Sequence, residues 1–130
     1  MPGPAEEWLT QSAYDLDTAK AMLKTERYIY VVFMCHLALE KALKGLFTVV
    51  TNGPPPRTHN LVQLAKVTQP RLNKEQNAFL VTINTLSVTT RYPDDLSKVL
   101  KEFNREQVEN FVGMAEEVIR CIRKDPRLSK

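Results

Sequence analysis

The sequence is poor in glycine and cysteine, and this scarcity excludes several kinds of functional site. Its 130 residues include four glycines and two cysteines. The phosphate-binding patterns GxxxxGKS, GxxxxGKT and GxGxxG do not occur, and neither does the serine-hydrolase pattern GxSxG. Cys35 and Cys121 lie far apart, each within an apolar run, so we expect free, buried thiols. No CxxC or cysteine–histidine spacing suits zinc.

Uncharged apolar stretches long enough to cross a membrane are missing as well. No run reaches about 18 residues without a charge. The opening residues, MPGPAEEW, have neither the basic nor the apolar region of a secretory signal. The composition, 43% hydrophobic and 25% charged, is that of a globular protein, and the net charge of +3 is too small to indicate nucleic acid binding by itself. We expect a cytoplasmic protein with a single domain over residues 1–130 and no membrane association.

Apolar residues recur at helical spacing in five segments, and no segment alternates in the way of a β-strand. The predicted helices cover residues 5–25, 28–50, 58–68, 73–89 and 104–124. Short connections between long amphipathic helices predict an all-α fold, an antiparallel up-and-down four-helix bundle with an additional short helix.

The ends and faces of these helices can be predicted from particular residues. Pro4 suits a first helical turn, and Gly53 is the predicted C-cap of the second helix, before three prolines that stop it. Thr58 or Asn60 is the predicted N-cap of the short helix, and Asn73 that of the next helix. The buried stripe of the first helix is predicted to comprise Leu9, Ala13, Leu16, Ala19 and Leu23.

Ionisable residues interrupt the second helix, which is otherwise almost entirely apolar. His36, Glu40 and Lys44 follow one another at intervals of four residues, with Lys41 beside them. Each interval advances about 40° around the helix, so the three side chains form a slanted strip on one face. Because charged side chains are rarely buried without a partner, this strip is the first place where we expect a functional site.

Two further polar clusters lie in the predicted connections. Residues 57–60 read RTHN and follow the prolines, and residues 91–95 read RYPDD and follow the fourth helix. The chain has two histidines, and each belongs to one of the three clusters. Arginine and lysine near an aromatic side chain favour phosphate or nucleotide ligands. The candidate ligand-binding residues are His36, Glu40, Lys41, Lys44, Arg57, His59, Arg91, Tyr92 and Asp94, and the candidates for a catalytic role are His36, His59 and Arg91.

Each candidate also has a purely structural explanation. Glu40 could serve only to neutralise Lys44, and His36 could be a hydrogen-bonded core residue. Arg91 could anchor its loop to a carboxylate such as Glu40, and Tyr92 could be a packing residue. The spacing of His36 and Glu40 is compatible with metal ligation, but the adjacent lysines disfavour a cation. We therefore expect no metal and no cofactor.

Four sequence motifs, in order along almost the whole chain, resemble those of the HEPN family, the higher eukaryote and prokaryote nucleotide-binding domains. They are Trp8 followed by AYDLDTA at 13–19, CHLALEKALK at 35–44, THNLVQL at 58–64 and RYPD at 91–94. The resemblance implies a bundle of four or five helices, often assembled as a homodimer. It also implies a nucleotide-binding role. In small prokaryotic members it implies a partnership with a minimal nucleotidyltransferase, in an arrangement similar to a toxin–antitoxin pair.

Many members of this family are metal-independent ribonucleases in which an arginine is followed by a histidine after four to six intervening residues. This sequence departs from that pattern, because neither Arg57, Arg91 nor any other arginine has a histidine at that spacing. We therefore expect a non-catalytic module that binds a nucleotide or RNA phosphate and pairs with a nucleotidyltransferase. The alternatives are a divergent ribonuclease, with His36 or His59 as acid–base and Arg91 or Lys44 on the phosphate, and a purely structural interaction protein.

Overall fold

The helices predicted from periodicity are all present. The computed structural model describes residues 3–89 and 103–129, which form five α-helices and one 3₁₀ helix without any strand. The elements are α1 (Pro4–Lys24), α2 (Tyr28–Thr51), α3 (Leu61–Thr68), α4 (Lys74–Thr89), α5 (Arg105–Arg123) and a 3₁₀ helix at Pro126–Ser129. Every predicted bound lies within three residues of the observed one. The all-α, four-helix-bundle prediction with an additional short helix is confirmed.

Side chains at the helix starts explain why the elements begin where they do. Asn60 is the N-cap of α3. Asn73 accepts a hydrogen bond from the backbone of Gln76 at 2.8 Å, and the Gln76 side chain accepts one from the backbone of Asn73 at 2.9 Å. Asn104 and Gln107 form the same reciprocal pair at the start of α5. These bonds satisfy amide groups that have no partner within the helix.

The end of α2 differs from the prediction. Asn52, not Gly53, takes the left-handed conformation that ends the helix, with a φ of 55°. Among the described residues no glycine has a positive φ. Asparagine tolerates this conformation because its short polar side chain can bond locally.

Helix α2 is the centre of the bundle and packs against α1, α3, α4 and α5. Close approach to α1 is possible because Gly45 has no side chain: a Cβ there would lie 3.2 Å from the Ala5 carbonyl oxygen and 3.2 Å from Trp8 Cβ. Further along the same interface the Ser12 hydroxyl donates a hydrogen bond of 2.7 Å to the Ala38 carbonyl. The largest fully buried side chains of the core are Leu39, Leu43, Leu46, Leu61, Leu64, Leu80, Ile83, Ile122, Val31, Val32, Val108 and Val118.

Two predictions about burial are wrong. Ala13 is exposed, and the polar residues Ser12 and Asp15 lie on the buried face of α1 instead. Hydrophobicity could not identify them, because each is buried through a polar partner on α2 and not through apolar character. Cys35 is buried as expected, but Cys121 is only partly buried.

Candidate functional site

The polar strip of α2 meets two other elements and forms the candidate site. We call it the Glu40 cluster and define it as Glu40, Lys44 and His36 from α2, His59 from the connection between α2 and α3, and Asn84 from α4. The three α2 side chains are deeply buried, with 3% of Glu40, 6% of Lys44 and 5% of His36 exposed. A buried carboxylate and a buried ammonium require mutual compensation, and the contacts within the cluster supply it.

Glu40 is the acceptor at the centre of the cluster. Lys44 Nζ donates a hydrogen bond to Glu40 Oε2 at 2.9 Å. The Nδ1 atom of His59 lies 3.0 Å from Oε1 and 3.1 Å from Oε2. His36 Nδ1 is more distant, 4.0 Å from Oε1. The buried Glu40 carboxylate therefore lies close to side-chain nitrogen atoms of its own helix and of the following loop.

His59 is the member of the cluster that faces solvent, since 63% of its side chain is exposed. A carboxylate only accepts hydrogen bonds, so Nδ1 of His59 carries a proton and donates the hydrogen bond to Glu40. In the neutral ring the lone pair then belongs to Nε2. Within residues 3–89 and 103–129, no hydrogen bond engages that Nε2 atom. The site can present this nitrogen as an acceptor or, after protonation, as a donor.

Asn84 fixes the other side of the cluster. Its Oδ1 accepts a hydrogen bond of 3.0 Å from the backbone amide of Leu61, and its Nδ2 donates one of 3.3 Å to Asn60 Oδ1. With the amide oriented in this way, Oδ1 faces His36 Nε2 at 3.3 Å, so Nε2 carries a proton and donates this hydrogen bond. Asn84 thus ties α4 to the start of α3 and to the α2 strip.

Sequence reasoning missed Asn84, although a signal was present. The residue is adjacent to the buried Ile83 and four positions after the buried Leu80, so it lies near the inner face of α4. An amide at such a position requires hydrogen-bond partners inside the fold. Its partner could not be named, because nothing local in the sequence places α4 beside His36.

Among the described residues, two other candidates, Lys41 and Arg57, do not join the Glu40 cluster. Lys41 turns toward α1, where its Nζ forms an ion pair of 2.8 Å with Asp15 Oδ2. That oxygen has no hydrogen bond of good geometry in the part of the chain that the structure describes, so the contact is primarily electrostatic. Arg57 is exposed in the connection after α2. The predicted site residues Arg91, Tyr92 and Asp94 lie outside the described residues.

Trp8 contacts Lys44 of the cluster and also lines a large cleft. Lys44 Nζ lies 5.7 Å from the centroid of the Trp8 ring, within range of a cation–π interaction. The cleft, with a volume of about 1080 Å³, lies between the start of α1, the end of α2 and the 3₁₀ helix. Its lining is mainly apolar, and Arg127, the one cation among the described lining residues, is paired with Asp125. We therefore place the candidate site at the Glu40 cluster and not in this cleft.

Two other kinds of site can be assessed in the same residues. No group of three or more histidine, cysteine or acidic side chains is arranged to hold a metal ion anywhere in 3–89 or 103–129. None of the helices built by those residues has the length and apolar character needed to cross a membrane.

Comparisons with known proteins agree with this architecture. A family model for the HEPN domain matches residues 5–125. The fold is similar to that of TT1696 from Thermus thermophilus, with a TM-score of 0.77 and 21% identity over 92% of this chain and 96% of the other. It is also similar to ST0689, an archaeal HEPN homologue, with a TM-score of 0.72 and 19% identity over 94% of this chain and 97% of the other. No curated protein matches the chain.

Proposed function

The chain belongs to the HEPN domain family, and on this basis we propose that it is a non-catalytic module that binds the phosphate of a nucleotide or of RNA at the Glu40 cluster. The observation that carries this proposal is the position of His59. Its ring is held by the buried Glu40 on one nitrogen and is open to solvent on the other side. When Nε2 carries a proton, a ring fixed in this way can donate to a phosphate oxygen without first losing conformational freedom.

The surroundings of His59 favour an anionic ligand. Lys44 already compensates the charge of Glu40, so a proton on His59 leaves a net positive site. Arg57 is exposed two residues before His59 and can reach a ligand from the same connection. Phosphate groups are commonly bound by such combinations of cationic and imidazole donors.

Nucleotide and RNA titrations with matched variants test the proposal. We expect His59→Asn and Arg57→Ala each to weaken binding of adenosine triphosphate or a short RNA by more than about threefold, or about 0.7 kcal/mol. Lys24→Ala, which removes an exposed lysine at the end of α1, should leave affinity unchanged. Affinity should fall as salt is raised. Equal affinity of His59→Asn and wild type would mean that the ligand binds elsewhere. Absence of binding at low salt would exclude these ligands altogether.

We also propose a homodimer that pairs with a minimal nucleotidyltransferase in a toxin–antitoxin-like arrangement in the cytoplasm. Support for a protein contact comes from Tyr14 and Tyr30, which are 74% and 55% exposed on α1 and α2. Tyr30 borders an apolar groove with Met22 and Met34 from the same two helices. Exposed aromatic and methionine side chains are enriched at interfaces. Sedimentation at micromolar concentration tests the dimer, and a single species of 14.9 kDa would contradict it.

A second candidate function is metal-independent cleavage of RNA, which the contact between Glu40 and His59 favours. A carboxylate that orients a histidine is the arrangement found in many acid–base catalysts. Wild type and His59→Asn should therefore be incubated with RNA in the presence of a chelator. Cleavage by the wild type but not by His59→Asn would mean that the protein is an enzyme and not a binding module. If the wild type neither binds nor cleaves RNA, the structural interaction protein is the alternative that stands.

A further inference from the structure

The two histidines of the chain occupy opposite environments. His36 is 5% exposed within the bundle, whereas 63% of the His59 side chain is exposed. Because the sequence contains no other histidine, any imidazole chemistry with a reagent in solution falls to His59. Its position in the loop just before α3 is fixed by the adjacent Asn60 cap, whose side chain accepts a hydrogen bond from the Gln63 backbone amide at 3.1 Å.

The contact with Glu40 determines which nitrogen of His59 can react. Nδ1 lies within 3.1 Å of both carboxylate oxygens and donates its proton to them, so the nucleophilic lone pair belongs to Nε2. A charge-assisted hydrogen bond of this kind also stabilises positive charge that develops on the ring. Glu40 is held in turn by Lys44 at 2.9 Å, so the carboxylate cannot rotate freely away from His59.

We propose that His59 Nε2 is a phosphoryl acceptor, a site at which a reactive phosphate donor such as a phosphoramidate or an acyl phosphate forms phosphohistidine. Cleavage of RNA by transesterification requires both a general base and a general acid. Nucleophilic phosphoryl transfer requires only one imidazole and a group that stabilises its positive charge, and His59 and Glu40 supply this pair. The inference concerns the same side chain as the proposed binding function but does not depend on nucleotide binding.

The transfer step balances with phosphoramidate as the donor. The Nε2 lone pair attacks phosphorus, a new N–P bond forms, and the donor's own N–P bond breaks. Ammonia leaves with the electron pair of that bond and with the three hydrogens that the zwitterionic donor carries on nitrogen. The Nδ1 proton stays on the ring, which becomes a phosphoimidazolium hydrogen-bonded to Glu40. No oxidation or reduction occurs, and Glu40 acts as a positioning residue.

The experiment treats the folded protein with potassium phosphoramidate and maps the modified histidine by mass spectrometry under alkaline conditions, where phosphohistidine survives. The same reaction in urea supplies a reference in which Glu40 no longer holds the ring. We expect His59 of the folded chain to react about tenfold faster than His59 of the unfolded chain, the effect of one charge-assisted hydrogen bond. Nuclear magnetic resonance should show the Nε2 isomer alone, and His36 of the folded chain should stay unmodified.

Glu40→Gln tests the positioning role, because an amide keeps the size of the side chain and removes its charge. If the variant is folded by circular dichroism, we expect its His59 to react about tenfold more slowly than in wild type and to yield some Nδ1 isomer. If the variant is unfolded, the comparison between folded and urea-treated wild type decides whether the contact with Glu40 accelerates the reaction of His59.

The proposal is overturned if folded His59 reacts no faster than unfolded His59, if the Nδ1 isomer dominates, or if folded Glu40→Gln reacts as fast as wild type. The test of the phosphoryl acceptor and the test of phosphate binding can fail independently of each other. A chain that is phosphorylated on His59 but binds no nucleotide loses the proposed binding function and keeps the acceptor site. A chain that binds nucleotide through His59 but is not phosphorylated gives the opposite result.

Discussion

Lys44 and Glu40 form an ion pair inside α2, the most buried of the described helices, with 2.9 Å between Nζ and Oε2. Only 7% of the lysine side chain and 4% of the glutamate side chain are exposed. Removing two charges from water is costly, and their attraction offsets this cost only when the geometry is good and the other polar atoms are satisfied. Here the second glutamate oxygen is satisfied by His59, and the lysine also lies over the Trp8 ring. The pair and the exposed histidine are therefore one interdependent unit.

Removing Glu40 should destabilise the protein strongly. Glu40→Ala leaves Lys44 buried without its counter-charge, which typically costs about 3–5 kcal/mol. Glu117→Ala, on the exposed face of α5, is the matched control and should change the free energy of unfolding by less than about 0.5 kcal/mol. Urea denaturation of both variants measures the difference. Similar midpoints for the two variants would mean that the pair is not a stabilising contact.

The two helical glycines should respond differently to alanine. Gly113 on α5 is exposed and a Cβ there meets nothing within 4 Å, so Gly113→Ala should stabilise by about 0.5–1 kcal/mol through helix propensity. At Gly45 the added Cβ would lie 3.2 Å from atoms of Ala5 and Trp8, and crowding should cancel that gain. Thermal unfolding of the two variants provides the comparison. Equal increases in Tm would show that α1 and α2 can separate at little cost.

The two cysteines should differ in reactivity. Burial raises the pKa of the Cys35 thiol to about 12, so it forms almost no thiolate near neutral pH, and the side chain is also inaccessible. Cys121 is partly exposed. A disulfide reagent should therefore titrate one thiol in the folded protein and two after unfolding. Cys121→Ser serves as the control and should abolish the reaction of the folded state, whereas rapid reaction of two thiols in native wild type would contradict the burial of Cys35.

Acid should weaken the contact between Asp125 and the 3₁₀ helix. Hydrogen bonds from the Arg127 side chain, at 2.9 and 2.8 Å, lower the pKa of Asp125 below its ordinary value of 3.8. A lowered folded pKa means that the stabilisation is fully present above the ordinary value and is lost as pH falls through the folded value.

This dependence is measurable as a difference between wild type and Asp125→Asn. At neutral pH we expect the variant to be less stable by about 1 kcal/mol, because solvent screens the 36% exposed Arg127 side chain. The difference in Tm should shrink as pH falls below about 4. Asp17→Asn, an exposed aspartate on α1, controls for general charge effects. A difference that is constant from pH 7 to strong acid would exclude the ionic contribution of Asp125.

Local pattern was sufficient to predict the helices and part of the candidate site. Helical periodicity and caps such as Asn60 and Asn73 depend on residues a few positions apart, so the bounds of the helices could be predicted to within three residues. The strip of His36, Glu40 and Lys44 could also be predicted from local spacing, because residues four apart lie on one face of a helix. The pairing of Glu40 with Lys44 needs nothing beyond α2 itself.

The remaining features were decided by tertiary packing. Nothing in the local sequence distinguishes Ser12 from Ala13 as the buried residue of α1, because the choice depends on where the Ala38 carbonyl lies on α2. The contact of His59 with Glu40 spans 19 residues, and that of Asn84 with His36 spans 48. Which loop nitrogen reaches a buried carboxylate depends on how three helices cross. Hydrogen bonds require particular distances and directions between groups that the chain connects only through long segments, and these are fixed by packing of the whole core.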